Sequence, residues 1–175
     1  MKYQNCIERA QAPHAPNASA DAVALRPCDA NVNALTGLAT DYLNHFNEAI
    51  MLLDMLSSCP DCRAEFLNWQ AVGYREHFAA SNFKSRDLVI AAYEGADPAL
   101  RGRLDGLAAA MTAMLEAVRA VMQSDLPPEI TDALAVRAGA QLKSMVTRAG
   151  AVINGAADTD VPQAPQTVID GLMTR

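Results

Sequence analysis

At 175 residues the chain is long enough for one domain with a real core, and 51% apolar with 19% charged residues is globular composition. The net charge of −6, with Lys and Arg scattered among more numerous acids, provides no basic stripe for a nucleic-acid backbone or an anionic membrane surface. Aromatics are scarce at 5% while Ala, Leu and Met are plentiful, which favours helix over sheet.

Residues 1–30 carry Pro13, Pro16 and Pro27 among Ala, Asn and Ser without a sustained apolar period, and they read as an irregular peripheral arm. The first residues lack the apolar region of a signal peptide, and no apolar run reaches membrane-spanning length. A cytoplasmic protein whose four cysteines stay mostly reduced is therefore expected.

A bundle domain is expected over residues 31–155. Its first helix should run from Asn31 or Val32 to Leu56 or Ser57. Leu35, Ala39, Tyr42, Phe46, Ala49, Leu53 and Leu56 alternate there at spacings of four and three, a heptad seam that needs other long helices to pack against. Pro60 ends that run and suits the first turn of a second helix, capped by Ser58 or Cys59, with Asp61 near its positive end. The second helix carries Phe66, Leu67, Trp69, Tyr74 and Phe78, with Gly73 bending or dividing it and Ser81–Ser85 closing it. A short third helix is expected over Arg86–Glu94, stopped by Gly95.

Asp97 and Pro98 read as the N-cap and first position of a fourth helix reaching about Gln123, with Leu100, Leu104, Leu107, Met111, Met114, Val118 and Val121 facing inward. Gly102 and Gly106 weaken its start or admit another backbone. A fifth helix is expected over Pro128–Ile153, with Leu134, Ala138, Leu142, Met145, Ala149 and Val152 inside and Gly139 and Gly150 permitting close packing. Residues 156–175 read as a linker and a short helix. The predicted fold is an all-α antiparallel bundle of four to five helices with the arm beside it. An uncovered seam would make a homodimer.

Three sets of residues carry candidate chemistry. His45 shares a stripe with Leu38 and Leu52, and Asp41 and Glu48 lie within helical reach of it. His77 lies at a comparable distance on the other side of the break near Pro60, so an antiparallel second helix would bring the two histidines together. Asp41, His45, Glu48 and His77, with Glu76 and Glu94 nearby, could then hold a transition metal. No Glu-x-x-His pair occurs to support this. The competing reading is a boundary histidine satisfied by Asp41 or Glu48 alone.

Tyr42, His45, Trp69, Tyr74 and His77, with Tyr93, could line a small-molecule pocket, although helical spacing makes such a set core first. Cys59-Pro60-Asp61-Cys62 places two thiols at a helix N-terminus, where thiolates are favoured, and reversible disulfide formation is its functional reading against two ordinary corner thiols. No Gly-rich phosphate loop, hydrolase triad, HExxH or EF-hand pattern occurs, and no motif calls for a cofactor. The function expected is non-enzymatic: a regulator or adaptor acting through protein–protein contact. A ligand- or metal-binding bundle and a thiol redox switch are the alternatives.

Overall fold

Two proline-led helices near the C-terminal end set the frame. The computed structural model describes residues 31–156; the arm over residues 1–30 and all but the first residue of the expected tail lie outside the described residues, with Cys6, His14 and Cys28. The described residues form six α-helices: α1 Leu43–Asp54, α2 Pro60–Asn68, α3 Tyr74–Ala80, α4 Arg86–Gly95, α5 Pro98–Met122 and α6 Pro128–Ile153. The class is all-α, as expected.

Capping chemistry explains the sharp ends of the long helices. The Asp97 carboxylate accepts from Ala99 N at 2.8 Å and Leu100 N at 3.1 Å, so two of the orphan donors at the start of α5 are satisfied. At the end of α6, Gly155 N donates to Val152 O and Ala156 N to Ala151 O, the paired bonds of a Schellman stop, with Gly155 at φ +74°. The Thr36 hydroxyl, itself buried, donates to the Ile153 carbonyl at 2.6 Å and satisfies a further helix end.

The short Gln123–Pro127 link sends α6 back along α5, and the two helices pack against each other. Leu43 lies against Gly150 and Asp54 against Gly139, so α1 runs antiparallel to α6 on its other side. An ion pair from Lys143 to Asp54 at 2.7 Å and another from Arg63 to Asp132 at 2.6 Å tie α1 and α2 to α6. On α5 the buried stripe is Leu104, Ala108, Met111, Leu115, Val118 and Met122. Of the expected inner set, Leu104, Met111 and Val118 are buried, whereas Leu100, Leu107, Met114 and Val121 are only partly so.

Two expectations need correction. The first helix does not begin at residue 31. Asn31 and Gly37 both adopt positive φ, and Gly37 N donates to Asn33 O, Asn33 N to Leu38 O, so residues 31–39 fold into a tight turn that leads through a 3-10 turn, Thr40–Tyr42, into α1. Leu35, placed on the seam by periodicity, is 90% exposed. The second helix is divided just before Gly73, one of the two outcomes expected there: α2 and α3 are separated by an irregular link, Trp69–Gly73. Finally, Gly102 and Gly106 admit no neighbouring backbone among the described residues, since a Cβ at either would meet none of their atoms within 4 Å.

Candidate functional site

The link Trp69–Gly73 is held from several sides. Trp69 Nε1 donates to the His45 carbonyl at 3.3 Å, and the Val72 N–H donates to His45 Nε2 at 3.2 Å. Tyr42 donates its hydroxyl proton to the Val72 carbonyl at 3.2 Å. Arg119, from α5, donates to the Trp69 carbonyl and also binds both carboxylate oxygens of Glu116 at 2.9 Å. Irregular backbone in a partly buried place needs such partners for each of its polar groups.

His45 and His77 do approach one another, with ring centroids 6.0 Å apart. His45 stacks on Trp69 at 4.5 Å, and Tyr42 meets His77 edge-on at 5.7 Å. Burial, then the nearby His77, lowers the His45 pKa from 6.5 to about 4. The ring is therefore neutral at pH 7, and acceptance at Nε2 assigns its proton to Nδ1. Burial also lowers the pKa of His77, against an opposing pull from the carboxylate and backbone of Asp41.

This geometry argues against the metal set as drawn. Glu48 is exposed, Glu94 pairs with Arg75 at 3.0 Å, and His45 already uses Nε2 for Val72. Among the described residues no group of three or more His, Cys, Asp or Glu converges to hold a metal. Nor do Asp41 or Glu48 satisfy the His45 side chain: its partner at Nε2 is a backbone amide 27 residues away in sequence.

In front of this layer lies an open cleft of about 580 Å³. Its walls are Tyr42, the link residues Ala71–Gly73, the start of α3 from Tyr74 to Glu76, Tyr93 of α4, and Asp105, Ala108, Ala109, Thr112 and Ala113 of α5. The cleft exists because α5 presents only small side chains opposite bulky aromatic ones. Of the candidate ligand set, Tyr42 and Tyr74 are among the lining residues, whereas His45, Trp69 and His77 are not.

Polar groups on the wall are fixed. Tyr74 accepts from Ala39 N at 2.8 Å and stacks on Tyr93 at 4.3 Å. Tyr93 donates to Asp105, whose oxygens lie 2.7 and 2.8 Å away, and the Arg101 guanidinium sits over its ring at 5.6 Å. Burial, followed by the fields of Asp105 and Glu76, pushes the Tyr42 hydroxyl up to about 12. Both carboxylates thus disfavour further negative charge at that wall.

Asp105, Val72 and Arg119 were not singled out from the sequence. Nothing local marks Asp105, since small residues are spread along α5 from Ala99 and Gly102 to Ala117 and Ala120. The redox residues stand apart from the cleft, Cys59 as the N-cap of α2 and Cys62 buried within its first turn. The chain matches no protein-family profile, no curated protein and no solved structure.

Proposed function

We propose that this bundle binds a small molecule in the cleft between α3 and α5, and that the ligand is largely apolar with one positively charged group. The observation that carries this reading is the cleft itself. Its volume of about 580 Å³ falls within the range of small-molecule sites, and its walls combine apolar surface with a few fixed polar groups. The sign of the ligand charge follows from Asp105 and Glu76, whose fields both reach Tyr42, whereas Arg75 is engaged by Glu94.

The test is a thermal-shift and calorimetric series with an alkylammonium, an alcohol and a carboxylate of equal chain length. The ammonium compound should stabilise the protein, and Ala109→Trp, which fills the cleft from an exposed position, should remove the effect. Equal response to all three, or an unchanged response in the Trp variant, would rule the reading out.

A second reading, contact with another protein or a second copy of the chain in a cytoplasmic regulatory role, is supported by large apolar side chains left in solvent. Val136 is 63% and Met51 54% exposed, and Met55, the C-cap of α1, lies one turn from Met51. Light scattering on the wild type and on Val136→Glu tests it: a monomer in both would remove the homodimer.

Among the described residues no helix is long and apolar enough to cross a membrane.

A further inference from the structure

We propose that Cys59 and Cys62 form a dithiol site that exchanges with low-molecular-weight disulfides, Cys59 attacking first and Cys62 resolving. The inference is independent of the cleft. It rests on the placement of the two thiols in one turn and on their unequal access to solvent.

Cys62 N donates to Cys59 O at 3.2 Å. A bond between residues three apart closes a turn whose Cα atoms lie within about 7 Å, the reach of a disulfide. The Cys59 side chain is also near enough to act on the Cys62 thiol. No backbone rearrangement over a long distance is therefore needed to join them.

Access separates their roles. Cys59 is half-buried at the N-cap of α2, while Cys62 is only 4% exposed and belongs to the hydrophobic core. A disulfide from solution meets Cys59 and cannot reach Cys62. The Cys59 side chain, then burial, then the charges of Cys59, Glu65 and Asp61 push the Cys62 thiol up to about 11, so little of it is thiolate at neutral pH. Both residues are free thiols in the structure.

The chemistry balances with the disulfide RSSR as the only oxidant. The Cys59 thiolate attacks one sulfur of RSSR, a Cys59–SR bond forms, and the first RS⁻ leaves and takes up a proton. Cys62 then loses its proton to solvent and attacks Sγ of Cys59, and the second RS⁻ is expelled and protonated. Two protein thiols become one disulfide, and RSSR becomes two RSH.

The test uses the full chain with Cys6→Ser and Cys28→Ser, oxidised glutathione as the probe, acid quenching, alkylation and mass measurement. The parent should lose both remaining thiols without accumulating a mixed disulfide. Cys62→Ala should trap one glutathionyl group on Cys59, and Cys59→Ala should react at least ~10-fold more slowly, as expected for a buried thiol that a disulfide in solution does not reach. A persistent mixed disulfide in the parent would overturn the proposal. So would Cys59→Ala reacting as fast as Cys62→Ala while both keep wild-type circular dichroism. If either variant unfolds, the parent measurement still decides, because a resolving thiol leaves no mixed disulfide.

Discussion

The imidazole of His45 accepts the backbone N–H of Val72 at 3.2 Å, which joins the first turn of α1 to an irregular link between α2 and α3. Only a neutral ring can accept at that nitrogen, so the contact makes the link sensitive to acid. The folded-state pKa lies near 4 against 6.5 unperturbed, so between these values the unfolded chain binds a proton that the folded chain refuses. Stability should be unaffected by this group above pH 6.5 and should fall as pH drops toward 4. His77, lowered by burial, adds in the same direction.

With both rings only half-buried, the loss assigned to His45 is on the order of 1 kcal/mol after allowance for solvent screening. Urea melts at a series of pH values should show this slope, and His45→Gln, which can still accept but cannot titrate, should flatten it. An unchanged slope in the variant would place the effect elsewhere.

The two cleft tyrosines should differ when their hydroxyls are removed. Tyr74 is the acceptor for the Ala39 N–H in a buried place, so Tyr74→Phe leaves a donor without a partner and should cost about 1–3 kcal/mol. Tyr42→Phe removes a bond to the carbonyl of Val72, which is only partly buried, and should cost about 0.5–1.5 kcal/mol. Chemical denaturation of both variants checks the order. The reverse order would show that the link depends more on Tyr42 than its geometry implies.

Two glycines should respond to alanine with opposite sign. Gly37 has φ +71°, and a Cβ there would sit 2.8 Å from the carbonyl oxygen of Ala92, so Gly37→Ala should destabilise by about 2 kcal/mol or more. Gly102 lies inside α5 with open space around the Cβ position, so Gly102→Ala should stabilise by about 0.5–1 kcal/mol. Melting temperatures of the two variants decide both points.

Arg119→Met should loosen the link while leaving α5 in place. The side chain is 14% exposed, its guanidinium bonds to Trp69 O and Glu116, and its Nε has no hydrogen-bond partner among the described residues. Loss of a charged hydrogen bond of this kind costs about 1.5–3 kcal/mol. Trp69 gives the readout: its emission should shift to longer wavelength, with helical circular dichroism retained. Unchanged emission would mean that the His45 contacts alone hold the ring.

Much of the fold was legible from local chemistry. Pro98 after Asp97 and Pro128 after Pro127 mark helix starts because a proline lacks the N–H that a first turn leaves unused, and Gly155 marks the stop because it accepts positive φ. The meeting of His45 and His77 was also readable, since two segments returning from one break must pass side by side.

Apolar spacing failed at residues 31–39 because it records where large side chains recur and is blind to the backbone angles that Asn31 and Gly37 adopt. The cleft was beyond any local signal. It needs α5 to bring Asp105, Ala109 and Thr112 opposite Tyr42 and Tyr74, and that arrangement comes from packing between segments more than thirty residues apart. His45 shows the same division: its place on a half-buried helical face follows from its spacing, but its partner, the Val72 amide, was chosen by how the chain folds back.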